Sequence, residues 1–226
     1  MINYKTLVCL LATSFAFAQE KITKQVGEFT SIKSFDKISV QLVKSTENKV
    51  ELSGAESENV ELVNDNGELK VKLTTKRILK GEDVVATVYH TKEIYDITAT
   101  EGSYISSEDI FKTIDLKLSA KEGAEIKLKV DVKKLNGTLT TGGKITVEGT
   151  AQNQDYVVNA GSILKAQTLN SEQCSVTSNA GGEANVTATE LVDAKVRAGG
   201  IITIYGTPRV VNEKKVMGGK INKMKS

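Results

Sequence analysis

Residues 136–147, Asn-Gly-Thr-Leu-Thr-Thr-Gly-Gly-Lys-Ile-Thr-Val, decide the fold. An alternating run ends in a glycine corner, and two aliphatic residues spaced by one follow it. The same figure recurs on both sides. Its starts fall at Asp96, Asp115, Asn136, Asp155, Cys174, Asp193 and Asn212, separated by 19, 21, 19, 19, 19 and 19 residues. Copies of one short pattern at a near-constant period mark a solenoid, in which each repeat buries its apolar face only against its neighbours.

The glycines recur at one step of the repeat, at Gly102, Gly123, Gly142-Gly143, Gly161, Gly181-Gly182, Gly199-Gly200 and Gly218-Gly219. An aliphatic residue follows each corner: Ile105, Ile126, Ile145, Leu164, Ile202 and Ile221, with Ala184 and Val186 in the Cys174 repeat. Stacked, these predict an inward ladder, and each fully buried aliphatic contributes about 1.5–3 kcal/mol. A coil of this period has a contour of about 63 Å, so three short sides or two flattened ones leave an interior filled by its own side chains. No lumen is expected, and any binding site lies on an outer face, at the loops or at an end.

Upstream the beat is less regular. Phe35, Ile38, Val40 and Leu42, then Val50 and Leu52, Val60 and Leu62, Leu69, Val71 and Leu73, and residues 84–90 all read as half-buried strands. Asn66-Gly67 supplies the positive φ values of a tight hairpin turn. Residues 74–83 read as an exposed loop. These strands fit extra rungs or a cap over one end, and the C-terminal end is blunted by Lys214, Lys215, Lys220, Lys223 and Lys225. The expected organisation is a signal peptide at 1–18, a flexible lead-in at 19–28, an N-terminal β region or cap at 29–93, and regular β-helix rungs at 94–226.

The signal reading rests on Lys5, the apolar run Leu7–Phe17 and the small residues Ala16 and Ala18, with cleavage expected before Gln19. That run is too short for an ordinary transmembrane helix, and no transmembrane anchor is expected elsewhere. Cys9 lacks the small neighbours of a lipoprotein signal, and its loss leaves Cys174 alone, so no internal disulfide is expected. Formal charge is +2, and only Arg77, Arg197 and Arg209 carry guanidinium forks, so nucleic acid is not an expected partner.

Three segments carry a resemblance to a known family: the Phe35–Leu42 run, the strand Gly67–Leu73, and the late glycine–aliphatic ladder closing at Gly219-Lys220-Ile221-Asn222. In this order along a secreted chain they resemble the GIN-domain family, described as the head domain of autotransporter adhesins. The resemblance spans roughly Phe29 to Ile221 and implies a right-handed parallel β-helix, and with it an adhesin-like role. It departs from the family pattern at Glu101-Gly102-Ser103, where a run of small residues is the norm.

Chemistry is weighed against that background. A polysaccharide-active β-helix enzyme needs clustered carboxylates and a nearby base. The column Asp96, Asp115, Asp155 and Asp193, interrupted by Asn136, Cys174 and Asn212, is better read as turn residues that bond their own backbone. Cys174 reads as a plain corner thiol and His90 as an exposed strand-end residue. Tyr89, Tyr95, Tyr104, Tyr156 and Tyr205 read as ordinary strand residues rather than a sugar-stacking platform. No catalytic, cofactor-binding or metal-ligating residue is assigned. The expectation is an all-β, exported, non-catalytic binding or adhesin-like module of the cell envelope, periplasmic, surface-attached or secreted. Its expected partner is a glycan, a surface protein or an envelope polymer. The alternatives are a polysaccharide lyase or hydrolase, or a purely structural envelope protein.

Overall fold

The structure is a computed structural model and describes residues 21–224. The expected signal peptide at 1–18, the expected cleavage site before Gln19 and Lys225 lie outside these residues. No helix of the described chain is long and apolar enough to cross a membrane. The strands are β1 (Ile22–Gln25), β2 (Ser31–Ser34), β3 (Ser39–Lys44), β4 (Lys49–Ser53), β5 (Val60–Asp65) and β6 (Glu68–Leu73). They continue with β7 (Val85–His90), β8 (Asp96–Ala99), β9 (Tyr104–Lys121), β10 (Glu125–Thr140), β11 (Lys144–Val158) and β12 (Ile163–Asn179). The last are β13 (Glu183–Thr187), β14 (Leu191–Arg197), β15 (Ile201–Tyr205), β16 (Val210–Val216) and β17 (Lys220–Met224). From β8 onward all pairings are parallel, and they build a β-solenoid with rungs about 19 residues apart.

One sharp corner per coil sets the period. Thr141 and Gly142 have φ of 53° and 75°, and the Gly143 N–H donates to Thr140 O at 3.1 Å. Two central residues at positive φ closed by that bond make a type I′ turn. The same pair of positive φ values recurs from Glu101-Gly102 to Met217-Gly218. Successive turns bond to one another, as where the Gly123 N–H donates to Thr141 O at 3.0 Å. Asp36-Lys37 forms the same corner with no glycine, which is why its rung is hard to see in the sequence.

Between corners each strand bends rather than turns. At Lys133-Lys134, Gln152-Asn153 and Glu172-Gln173 two successive residues face outward, which breaks the period-two alternation. With the bend that precedes it, this divides each coil into three sides. The first-side ladder is continuous through Ala86, Val40, Ile105, Ile126, Ile145, Leu164, Ala184, Ile202 and Ile221, two rungs further than the repeat predicted. The interior is filled. Tyr156, fully buried, lies opposite Gly137, where a Cβ would come within 2.4 Å of its ring.

The bend between first and second sides absorbs irregular lengths. Ser106 and Ile110 sit opposite Lys127 and Lys129, so β9 carries two extra residues there. Lys165 and Thr168 sit opposite Thr146 and Glu148, so β12 carries one. The outward column therefore runs Asp96, Lys117, Asn136, Asp155, Ser175, Asp193, Asn212. Asp115 is out of it, opposite Lys134. Cys174 is out of it too, opposite Gln154 and Val192, and it faces the core rather than a corner. Nor are these residues turn starters, because they lie within strands while the turns lie at the glycine corners. Burial pushes the Cys174 thiol far above its ordinary value. Protein cleaved before Gln19 is expected to leave Ellman's reagent unreacted in its native state and to react at this cysteine in guanidinium. Fast native reaction would contradict the inward register.

The N-terminal strands contain both rungs and a cap. β2 lies between β6 and β8, and β3 between β7 and β9, all parallel. β6 and β7 thus form the outermost rung although they follow β2 and β3 in the chain. The hairpin β5–β6 through Asn66-Gly67, and β4 antiparallel to β7, cover that rung. Within the stretch expected as a flexible lead-in, β1 pairs antiparallel with β4, because Ile22 and Val26 pack against the core. At the other end the inward positions of β16 and β17 hold Glu213, Lys215 and Lys223, opposite Ala194, Val196 and Ile204. Lys223 Nζ lies 2.8 Å from the Glu213 carboxylate, closing the stack with charge.

Candidate binding groove

Among the described residues, the second side of the first full coil lacks a strand above it. After β7 the chain crosses from Thr91 to Tyr95 without pairing. Beneath it, Ile110–Thr113 of β9 pair with β10 on one edge only. The Tyr95 N–H donates to Thr30 O and Tyr95 O accepts from the Lys117 N–H, both at 2.8 Å. Among the described residues no backbone hydrogen bond joins 91–95 to 110–115. The gap opens as two pockets of about 230 and 350 Å³ that meet at Glu93. Lys44, His90, Ile94, Asp109, Ile110, Phe111 and Lys112 line one. Tyr95, Asp96, Thr113, Ile114, Asp115 and Lys117 line the other.

The two surplus residues of β9 build the rim. Ser107 Oγ donates to Leu42 O at 2.8 Å and accepts from the Asp109 N–H at 3.1 Å. Asp109 Oδ2 accepts from the Lys44 N–H at 2.8 Å. The bulge is thereby tied to the end of β3, and the strand resumes with Ile110, Lys112 and Ile114 outward. Ile110 is 55%, Ile114 70% and Tyr95 46% exposed. In the next coil the matching outward positions hold Lys129, Asp131 and Lys133, so the apolar patch is particular to this place.

His90 is not the exposed residue that its strand-end position suggested. It is 5% exposed, because the Phe111 ring stacks on it at 6.0 Å and Phe29 tilts against it at 6.4 Å. Nδ1 lies 2.8 Å from Lys92 O. Burial holds its pKa below the ordinary 6.5, with Lys44 adding to the shift and the Lys92 carbonyl and Asp109 opposing it. A histidine held neutral in the fold stabilises fully above its unfolded pKa, and that contribution is lost as pH falls below 6.5 towards the folded value. Thermal unfolding followed from about pH 7 to about pH 5 should therefore fall more steeply for the wild type than for His90→Phe. Parallel curves would remove His90 from the account.

The aspartates divide among structural tasks. Asn136 Nδ2 donates to Asp115 Oδ1 at 2.7 Å and Asn212 Nδ2 to Asp193 Oδ1 at 2.6 Å, tying neighbouring coils together. Ser175 separates Asp155 from Asp193. Asp96 lies in the groove, where burial raises its pKa against the pull of Lys117 and Thr98. Among the described residues no three His, Cys, Asp or Glu side chains gather as a metal-holding group. The tyrosines make no common platform: Tyr95 is at the groove, Tyr156 in the core, and Tyr89 beside Glu51 and Lys49. Sequence reasoning missed Ile110, Ile114 and Glu93. The signal available was the spacing of 21 after Asp115, the one interval that departs from 19.

A filled three-sided solenoid whose accessible surface is its outer faces and ends defines the class of protein. The chain belongs to the family described as "putative auto-transporter adhesin, head GIN domain", whose model matches residues 28–208. Its fold is similar to that of a solved structure described as a putative adhesin from Bacteroides fragilis, with a TM-score of 0.80 and 20% identity over 91% of this chain and 97% of that one. A structure from Parabacteroides distasonis with the same description has a TM-score of 0.73 and 17% identity over 91% and 96%. A second structure from that organism, described as a putative lipid binding protein, has a TM-score of 0.68 and 15% identity over 91% and 96%. Identities this low speak for the fold alone. No curated protein matches the sequence.

Proposed function

We propose that the protein is an exported, non-catalytic, adhesin-like binding module of the cell envelope that takes its partner in the groove at Glu93. The observation that carries this reading is the exposure of Ile110 and Ile114 on a strand whose neighbour carries charges at the same positions, with Tyr95 exposed on the crossing beside them. The family description supports the adhesin-like role, and the apolar run at 7–17 supports export. The partner classes are a glycan, a surface protein or an envelope polymer.

The test is a binding screen of these three classes, with reducing-end assays run alongside. The double variant Ile110→Ser, Ile114→Ser serves as the control, since both side chains are exposed and the fold should survive. The expected result is binding without released product, weakened about tenfold or more in the variant. Undiminished binding by the variant would move the site off the groove. Released reducing ends would replace this reading with a polysaccharide-active enzyme, and silence in every assay would favour a purely structural envelope role.

A further inference from the structure

We propose, building on the binding reading above, that the groove accepts one extended polypeptide strand of a partner protein, added to the open sheet edge at Ile110–Ile114. The strand carries a basic side chain opposite Glu93 and an apolar side chain on either side of it.

The sheet formed by the second sides runs from Leu169 through Gly149 and Val130 to Phe111 and stops there. In a parallel sheet, alternate residues of an edge strand present both N–H and C=O outward. Only another backbone supplies donors and acceptors at that repeat, whereas a sugar ring or an acyl chain does not. At one end of the stack β4 and β5 cover the outer rung, and at the other the unpaired edges of β16 and β17 sit beside the inward charges Glu213, Lys215 and Lys223, whereas the edge at Ile110–Ile114 opens onto apolar side chains.

The side chains define what the strand must carry. Ile110 lines one pocket and Ile114 the other. Four residues of extended chain span about 13 Å, so a strand with apolar residues at its first and fifth positions reaches both. Glu93 borders both pockets and so faces the third position. Most of the nearby charges are already engaged, and Lys117 acts on Asp96. Asp109 accepts from the Lys44 N–H and Asp115 from Asn136. Lys112 lies 3.9 Å from Asp131, and Lys44 Nζ donates to Thr91 O. Glu93 has no hydrogen-bond or ion-pair partner among the described residues, which favours a cation on the incoming strand.

The probe is the labelled peptide acetyl-Thr-Ile-Thr-Lys-Thr-Ile-Thr-amide, titrated with the full chain by fluorescence anisotropy. Two twins carry N-methyl groups on one or the other alternate set of amides. The expected result is saturable binding that one twin keeps and the other loses by about tenfold or more, because a strand pairs through only one of its edges. Glu93→Lys should weaken the lysine peptide similarly and prefer a twin with glutamate at the centre. Amide hydrogen exchange over residues 110–115 should slow when the peptide binds. Absence of peptide binding, equal binding of both N-methyl twins, or no charge preference at Glu93 would overturn the strand. If a glycan or polymer then bound and lost affinity in Ile110→Ser, Ile114→Ser, the groove reading would stand without the strand. If that variant changed nothing, both would fall.

Discussion

Gly149→Ala is expected to lower the unfolding free energy by about 3 kcal/mol, combining backbone strain with forced overpacking. Gly149 has φ of +115°, and a Cβ there would lie 2.1 Å from Val130 O in the neighbouring coil. A backbone carbonyl inside a parallel ladder has no room to retreat without losing its own pairing. Gly161→Ala is the matched control. It also has positive φ, at +68°, but nothing lies within 4 Å of its Cβ position, so about 1 kcal/mol is expected. Chemical denaturation of both variants beside the wild type separates the two effects. Equal losses would mean that the coils part easily at the bend, against the register described.

Asp36→Ala is expected to cost a similar amount, about 3 kcal/mol, since hydrogen bonds to a charged group contribute about 1.5–3 kcal/mol and a buried donor is orphaned. The Asp36 side chain is buried at the glycine-free corner. Its Oδ2 accepts from the Leu73 N–H at 3.0 Å and Oδ1 from the Leu79 N–H at 3.2 Å. Its own carbonyl accepts from the Gly81 N–H at 3.1 Å. One residue therefore holds both ends of the exposed crossing between β6 and β7. Loss of the carboxylate should also speed tryptic cleavage at Lys76, Arg77 and Lys80, while Asp36→Asn keeps one acceptor and falls between. An unchanged cleavage rate would separate the loop from Asp36.

The parts of the fold that the sequence shows plainly are those where one residue type is demanded in every coil. The glycine corners and the ladder Ile105, Ile126, Ile145, Leu164, Ile202 and Ile221 are such parts, and the register confirms them. What it conceals is where surplus residues are stored. The extra residue in β12 is followed by a shorter link before β14, so Cys174 keeps an even spacing to Asp155 and Asp193 while lying one position out of register with both. The outermost rung was illegible for another reason. β6 and β7 stack outside β2 and β3, and no periodicity records pairing that departs from chain order. The groove follows from that departure. Ile110 and Ile114 read as ordinary rung residues until the missing neighbouring strand is known.

The trapped position of β2 also bears on how the molecule answers force. Pulled from its C-terminus, the stack presents β17 and β16 first, each paired on one edge only, and can unspool coil by coil. Each coil of about 19 residues would release about 65 Å of chain. At the opposite end β2 is clamped between β6 and β8, so its strand cannot leave before one of them yields. Under load the solenoid is therefore expected to extend from its C-terminal coils first, with the groove beside β2 and β8 held in place while the far coils unwind.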